Sequence, residues 1–259
     1  MKRASASIAA ALLIAASAVL AAEIPQTERR SGFSFMAPET QAMQNDDTAN
    51  PGMLWVLEGE ALWTSKSGAS GKGCGDCHND ARSTMKGVAA RYPAFDKGLG
   101  RPVDLEGRIN ICRTTHQQAT PLAYESRELL ALTAFVAQQS RGMAISAEAD
   151  PRLEPFIGKG RELFTARQGQ LNLACANCHD DNWDKRLAGS TITQGHPTGY
   201  PLYRLEWQSL GSLQRRLRAC ISGIRAQTYT YGAPELIELE IYLMWRARGM
   251  SMEAPAVRP

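Results

Sequence analysis

The sequence predicts an all-α protein made of two tandem domains, which are related by an internal repeat and preceded by an extended N-terminal arm. Three observations lead to this prediction. The motif Cys-x-x-Cys-His occurs twice, at residues 74–78 and 175–179. Apolar residues before and after each motif follow helical spacing, and no strand pattern accompanies them. The residues that flank the two motifs correspond to one another, so each half is expected to form the same kind of domain.

The length and charge of the chain limit the classes of function. The chain has 259 residues, of which 44% are hydrophobic, and its formal net charge is +3. This composition suffices for two ordinary domains with buried cores. The weak charge and the lack of a basic run argue against a nucleic-acid partner. Beyond the N-terminus no segment is long and apolar enough to predict a membrane span.

Residues 1–22 are predicted to be a cleaved signal peptide. Lys2 and Arg3 precede a short apolar stretch, Ile8 to Leu20, and small residues at 21 and 22 offer a cleavage site. A retained membrane anchor is less favoured, because the apolar stretch is shorter than the ~20 residues that span a bilayer. The chain is therefore expected to be exported.

Three further segments follow along the chain. Residues 23–50 are rich in Pro, Thr, Asn and Asp and show little apolar periodicity, so they are predicted to be an extended arm that wraps a neighbour or a partner. Domain 1 is expected over residues 51–147 and domain 2 over residues 151–259, with the boundary within Ser146 to Pro155.

The repeat extends well beyond the two motifs. A Gly, a Leu and an aromatic residue precede both motifs at the same distances: Gly59, Leu62 and Trp63 in the first half, and Gly160, Leu163 and Phe164 in the second. Each half then carries a lone cysteine, Cys112 or Cys220, in a predicted short helix, after a loop that is longer in the second half. A predicted helix that ends in Arg-Gly-Met follows in each half, at 128–143 and 235–250. These terminal helices are expected to pack on the helix that precedes the motif.

Cys-x-x-Cys-His is the attachment signature of c-type haem. Paired thiols are expected to form thioethers to each haem: Cys74 with Cys77, and Cys175 with Cys178. The adjacent His78 and His179 are then expected to bind the two irons. Two covalently bound haems are therefore predicted, one in each of two class I-like cytochrome c domains. Covalent haem on an exported chain indicates the bacterial periplasm.

Each haem iron needs a sixth ligand or an open site. The repeated residue in the usual place of this ligand is Cys112 in the first half and Cys220 in the second, so thiolate ligation of both irons is predicted. A disulfide between the two cysteines is an alternative in an oxidising compartment, and a plain buried cysteine is another. Other candidate ligands are less favoured, because they are unrepeated or end the terminal helices: Met85, Met143, His116, His196 and Met250.

Arginines surround Cys220 more densely than Cys112. If residues 212–222 are helical, Arg216 and Cys220 lie four residues apart on one face. A guanidinium there would lower the pKa of the thiol and would bind an oxyanion through two hydrogen bonds. The alternative is a solvated helix face or a partner for haem propionates, which is the expected role of Arg215 and Arg218.

The signal peptide, the two haem motifs and the lone cysteines together resemble the SoxA family, the dihaem subunits of the periplasmic SoxAX cytochromes of sulfur-oxidising bacteria. The resemblance covers the mature chain, and the run from Arg216 to Ile221 is its most specific part. It implies His/Cys ligation of both haems. It also implies that Cys220 is the active-site residue, present as a cysteine persulfide, and that Arg216 contacts the substrate.

The resemblance further implies an L-cysteine S-thiosulfotransferase. In this family thiosulfate is joined oxidatively to a cysteine of the SoxYZ carrier protein, and two electrons pass to the single haem of SoxX and then to a soluble cytochrome c. A heterodimer with a SoxX-like monohaem cytochrome c is thus expected. The main alternative is a dihaem electron carrier without chemistry of its own. A dihaem peroxidase conflicts with the repeated cysteine, and a haem-based sensor lacks an output domain.

Overall fold

The computed structural model describes residues 24–259, and the predicted signal peptide lies outside these residues. In the first half, helices α1 to α6 span Pro38–Asn45, Met53–Thr64, Gly75–His78, Ala81–Thr84, Leu105–Cys112 and Arg127–Gln138. Strands β1 (Ala94–Asp96) and β2 (Arg101–Val103) form an antiparallel pair before α5.

The second half repeats the order of helix, motif turn, strand pair, helix with the lone cysteine and terminal helix. Helices α7 to α10 span Glu154–Thr165, Cys175–His179, Leu213–Gly223 and Pro234–Arg246. A small hairpin of β3 (Arg186–Leu187) and β4 (Ser190–Thr191) follows α8. Strand β5 (Leu202–Arg204) pairs antiparallel with β6 (Ser209–Gly211) and parallel with the C-terminal β7 (Ala256–Arg258). Among residues 24–259, no helix has both the length and the apolar character needed to cross a membrane.

In each half, the helix before the motif packs on the terminal helix, as the repeat predicted. α2 crosses α6 at Gly59, where a β-carbon would overlap the carbonyl oxygen of Ala131. α7 crosses α10 at Gly160, where a β-carbon would overlap the carbonyl oxygen of Glu238. The repeated glycine therefore lets two helix backbones approach closely. The two helix pairs form the centres of two hydrophobic clusters.

The short strands are the part of the fold that the sequence did not predict. Strands β1, β2, β5 and β6 have three residues each, too few to show the alternation that identifies a strand. Each pair leads into the helix that carries a lone cysteine, α5 or α9. A side-chain cap starts both helices, because Asp104 accepts a hydrogen bond from Gly107 N and Ser212 accepts one from Arg215 N.

The terminal helices end earlier than the prediction, which continued them to positions 143 and 250. α6 ends at Gln138 and α10 at Arg246, so the Arg-Gly-Met segments lie beyond both helices. Gly142 and Gly249 each have a φ of 80°, a left-handed conformation that does not continue an α-helix. The two segments then meet in an antiparallel bridge between Ala144 and Ser251, which joins the two halves.

The N-terminal arm is not continuously extended, and it packs on the second half of its own chain. It contains α1 and two short 3-10 helices, Gln26–Glu28 and Gly32–Phe35. The side chain of Gln194 accepts a hydrogen bond from Arg30 N (2.6 Å) and donates one to Glu28 O (3.1 Å). Gln44 on α1 accepts a hydrogen bond from Val257 N at 3.1 Å. These anchors are polar, and the buried apolar residues of the arm, Ile24 and Met36, lie too far apart to form a periodic pattern.

A cluster of carboxyl groups lies between the two halves. Asp104 accepts hydrogen bonds from Tyr124 Oη (2.9 Å) and from Gln214 Nε2 on α9 (2.8 Å). Glu106 and Glu240 line a neighbouring cavity of about 60 Å3. Burial, together with the charge of Asp104, raises the pKa of Glu106 to about 8. The contact between the halves therefore contains a carboxyl group that stays protonated near neutral pH.

Candidate functional site

The second Cys-x-x-Cys-His motif forms one helical turn, α8. The thiols of Cys175 and Cys178 are three residues apart and share one side of the turn, and His179 follows directly. His179 Nδ1 lies 2.7 Å from the carbonyl oxygen of Thr193. A carbonyl only accepts hydrogen bonds, so Nδ1 carries the proton and Nε2 is left with a lone pair for a metal.

Gly195 packs directly on this imidazole. A β-carbon at Gly195 would lie 3.1 Å from Cγ and 3.2 Å from Nδ1 of His179, and the φ of Gly195 is 75°. Glycine satisfies both the left-handed backbone and the close approach. The loop between the motif and the lone cysteine, which is longer in the second half, therefore positions the motif histidine of domain 2.

An aromatic side chain from the preceding helix lies against each motif histidine. In domain 2, the ring centroids of Phe164 and His179 are 6.5 Å apart. In domain 1, the ring centroids of Trp63 and His78 are 5.8 Å apart, and Trp63 Nε1 donates a hydrogen bond to Asn79 O at 3.0 Å. The repeated aromatic position thus supports the same histidine position in both domains.

The lone cysteines lie at corresponding places, Cys112 at the end of α5 and Cys220 within α9. All six cysteines are free thiols, so the structure does not join these two in a disulfide. Cys220 interacts directly with the side chain of His179. An imidazole with a free Nε2, a facing thiol and two further thiols on the α8 turn form a donor set that fits a c-type haem.

The surroundings of Cys112 are electrically balanced. One helical turn before it, Arg108 forms an ion pair with Asp96 and donates a hydrogen bond from Nε to the Tyr92 hydroxyl at 3.3 Å. Burial raises the pKa of the Cys112 thiol. The charge of Arg108 lowers that pKa only in part, because Cys77 and Asp96 act in the opposite direction.

The surroundings of Cys220 carry an excess of positive charge. Arg216 lies one helical turn before it and, within residues 24–259, forms no ion pair with a carboxylate. Burial raises the pKa of the Cys220 thiol, but the contact with His179 and the charges of Arg216 and Arg204 outweigh burial and lower it. Domain 2 therefore stabilises a negative charge on sulfur, which domain 1 does not.

The neighbouring arginines of α9 contact aromatic rings. The Arg215 guanidinium lies 4.3 Å from the centroid of the Trp207 ring, and that of Arg218 lies 4.5 Å from the Tyr231 ring. Both are therefore engaged away from the thiol. Arg216 remains as the arginine of α9 that acts on Cys220.

The alternative sixth ligands have other surroundings. Met85 and Met250 pack against a hydrophobic cluster, and Met143 lies over Gly87. His116 is exposed to solvent. These positions leave the two lone cysteines as the better candidates for the iron ligands.

His196 is buried, with 8% of its area exposed. Within the described residues neither of its ring nitrogens has a hydrogen-bond partner. Burial, followed by the charge of Arg246, lowers the pKa of His196 to about 3, so the imidazole is neutral. It follows Gly195 in the loop that packs on the Nδ1 edge of His179. This position argues against the acid–base role beside Cys220 that a peroxidase would require.

The fold and the motifs define the class of protein as a c-type cytochrome with two tandem domains, and its cofactor is haem c. The family model described as SoxA/TsdA, cytochrome c domain, matches residues 58–145 and again residues 159–252. The L-cysteine S-thiosulfotransferase subunit SoxA of Pseudaminobacter salicylatoxidans is 39% identical over 235 residues, which cover 90% of this chain and 82% of that protein.

Two further relatives agree with this match. The subunit of the same name from Rhodovulum sulfidophilum is 38% identical and covers 89% of this chain and 80% of its own length. The crystal structure of SoxXA from P. pantotrophus superposes with a TM-score of 0.86 at 31% identity, over 89% of this chain and 87% of that one. The chain belongs to the SoxA family, as its motifs indicated.

Proposed function

We propose that this chain is the catalytic subunit of an L-cysteine S-thiosulfotransferase that couples thiosulfate to a cysteine thiol of a SoxYZ-like carrier protein. The observation that carries the proposal is the contrast between the two lone cysteines. Cys112 faces a neutralised Arg108–Asp96 pair, whereas Cys220 faces the uncompensated charge of Arg216. A dianionic substrate is therefore attracted to domain 2. The names of the relatives support the same activity.

The proposed reaction forms one sulfur–sulfur bond. The terminal sulfur of thiosulfate joins the sulfur of the carrier cysteine and gives a cysteine S-thiosulfonate. The carrier thiol releases its proton, and two electrons leave the sulfur atoms. Haem c, when bound, supplies a one-electron acceptor next to the reacting sulfur. The electrons then pass to a SoxX-like monohaem cytochrome c and to a soluble cytochrome c.

The residues of this chain have distinct roles in the proposal. Arg216 holds the sulfonate end of thiosulfate through two charge-assisted hydrogen bonds. Cys220 would hold the iron of haem 2, and its sulfur would also contact the sulfur atoms that react. A thiolate that held the iron would be a weak nucleophile, so the sulfur of Cys220 that meets the substrate is placed one atom further out, as a cysteine persulfide that the net reaction leaves unchanged. Tyr200 lies near both residues, and burial raises its pKa to about 12, so its hydroxyl keeps its proton.

The haem contacts are proposed from the two motifs and the two lone cysteines. The thioether bonds are assigned to Cys74 and Cys77 for haem 1, and to Cys175 and Cys178 for haem 2. His78 and Cys112 would hold the iron of haem 1, and His179 and Cys220 would hold the iron of haem 2. A thiolate donates electron density to ferric iron and keeps the reduction potential low, so electrons need an onward acceptor.

A partner subunit and an exported location complete the proposal. The related crystal structure from P. pantotrophus is that of a SoxXA complex, which supports a heterodimer with a SoxX-like chain. Haem attachment to Cys-x-x-Cys-His and the predicted signal peptide support a periplasmic location.

The proposed function is tested on the holoprotein purified with its partner subunit. Intact-mass spectrometry is expected to find two haems on this chain and one additional sulfur on the peptide that contains Cys220. Reduction of a soluble cytochrome c is expected to require both thiosulfate and the carrier protein. If the complex shows no thiosulfate-dependent reduction with the carrier present, the dihaem electron carrier replaces the proposed enzyme.

A further inference from the structure

We propose that Arg204 is a second anion-binding residue, which together with Arg216 forms a two-guanidinium site beside Cys220 for a tetrahedral dianion. Domain 1 has Asp96 where domain 2 has Arg204, so only domain 2 can bind the dianion at this place. The identity of the dianion as thiosulfate rests on the proposed function, whereas the presence of the site does not.

The two domains place Asp96 and Arg204 at the same position of the fold. Asp96 is the last residue of β1 and pairs with Arg101, the first residue of β2. Arg204 is the last residue of β5 and pairs with Ser209, the first residue of β6. Arg108 follows Asp96 by the same number of residues as Arg216 follows Arg204. In both domains the lone cysteine then follows that arginine by one helical turn. The two domains therefore differ in the residue at this strand position, whereas the strand pair, the helix arginine and the lone cysteine correspond.

In domain 1 the residue at this position, Asp96, prevents anions from binding beside Cys112. The Asp96 carboxylate forms an ion pair with Arg108 Nη2, and the same guanidinium is also bonded to Tyr92 Oη. Asp96 further accepts a hydrogen bond from Leu99 N at 2.7 Å, which fixes the carboxylate. The positive charge beside Cys112 is thus neutralised by a group that is itself held in place.

In domain 2 the same position adds charge instead of removing it. The side chain of Arg204 is 13% exposed, and its interaction partners include Arg216 and Cys220. Its only carboxylate contact within the described residues is with Glu206, at 2.8 Å from Nε, and the Glu206 side chain is 65% exposed. The geometry of this contact is not that of a hydrogen bond. An exposed carboxylate of this kind screens a buried guanidinium weakly.

The positive charges of Arg204 and Arg216 repel one another, and burial together with the charge of Arg216 lowers the pKa of Arg204. An anion between them removes this repulsion and gives each group a charge-assisted hydrogen bond. A dianion gains more than a monoanion because it neutralises both charges. The location on β5, which is paired on both sides, holds Arg204 in a fixed place relative to α9.

The test uses the oxidised holoprotein in complex with its partner subunit, in the absence of carrier protein, so that no turnover occurs. Binding of thiosulfate and of sulfate, an inert tetrahedral dianion, is measured by isothermal titration calorimetry. Arg204→Gln is expected to weaken the binding of both dianions by about tenfold or more. Arg204→Asp re-creates the closed pair of domain 1 and is expected to weaken binding by about 100-fold or more. Arg204→Lys is expected to retain part of the affinity, because it keeps the charge without the planar fork.

The control is Arg167→Gln, which removes the same charge from an exposed arginine of domain 2 whose Nη1 donates to Asn172 O. It is expected to leave both affinities unchanged. Haem absorption and the melting temperature check that each variant is folded. Unchanged dianion affinities in a folded Arg204→Gln, or equal losses in Arg204→Gln and Arg167→Gln, would overturn the proposal. Arginine-dependent binding of sulfate without thiosulfate-dependent turnover of the wild type would support the site and reject the proposed function.

Discussion

Replacement of Gly195 by alanine should disturb the ligand of haem 2 more than the stability of the fold. The substitution places a methyl group 3.1 Å from Cγ and 3.2 Å from Nδ1 of His179, which is closer than an ordinary van der Waals contact. The imidazole must therefore shift by a few tenths of an ångström. Its hydrogen bond to Thr193 O, at 2.7 Å, resists this shift. The residue also keeps a φ of 75°, at a cost of roughly 1–2 kcal/mol for alanine.

A matched control separates these two effects. Gly142 has a φ of 80°, and a β-carbon there would meet nothing within 4 Å. Gly142→Ala should therefore lose roughly the same 1–2 kcal/mol of unfolding free energy without touching a histidine. Gly195→Ala should lose at least as much and should also change the reduction potential and the ferric electron paramagnetic resonance signal of one haem.

The assays are chemical denaturation and a potentiometric titration of both variants in the holoprotein. The signals of haem 1 should be the same in both variants and in the wild type. If Gly195→Ala lowers the stability as Gly142→Ala does but leaves both haem signals unchanged, Gly195 does not position His179. The reasoning about the loop would then be wrong.

Three further predictions concern Arg216, Glu106 and the iron ligands. Arg216→Ala should lower kcat/KM for thiosulfate by about 100-fold or more, because two charge-assisted hydrogen bonds are lost, and Arg216→Lys should restore it in part. The control is Arg218→Ala, which removes a guanidinium that lies over an aromatic ring. Equal losses in Arg216→Ala and Arg218→Ala would contradict the role of Arg216. Glu106 has a raised pKa of about 8, so its contribution to the free energy of unfolding is fully present below about pH 4.5 and is lost as the pH rises toward 8. Glu106→Gln should therefore raise the unfolding free energy at pH 8, by at most about 1.4 kcal/mol per pH unit of the shift, and leave it unchanged at pH 4. A difference that does not depend on pH would contradict the buried-carboxyl account. Electron paramagnetic resonance of the ferric wild type should show two low-spin haems with thiolate ligands, and Cys112→Met should change one of them; spectra of His/Met haems alone would exclude Cys112 and Cys220 as ligands.

The repeat was the most informative signal in the sequence. It predicted the paired helices, because Gly59 and Gly160 mark close helix crossings and Trp63 and Phe164 support the motif histidines. These contacts recur at constant spacing because each domain packs the helix before the motif against its terminal helix. The resemblance of the Arg216–Ile221 run then led to the family that the comparisons confirm.

The missed features depend on contacts between distant parts of the chain. The exchange of Asp96 for Arg204 becomes meaningful only once the three-residue strands align the two domains, and strands of this length leave no periodic pattern. The role of Gly195 depends on its contact with His179. Gly87 has a similar positive φ in the loop of domain 1, but it meets Met143 and not His78, so the repeat did not reveal this role. The terminal helices were predicted too long because Gly142 and Gly249, with positive φ, divide a continuous run of helix-compatible residues.

The most direct test of the account compares the same substitution at the two lone cysteines. Cys220→Met and Cys112→Met each supply a new axial ligand, so both variants should retain two low-spin haems. The measurement is the reduction of a soluble cytochrome c with thiosulfate and carrier protein present, for the complex with the partner subunit. The account predicts that Cys220→Met abolishes this activity and that Cys112→Met retains most of it. Normal turnover by Cys220→Met would show that Cys220 is only a ligand and would contradict the proposed sulfur chemistry.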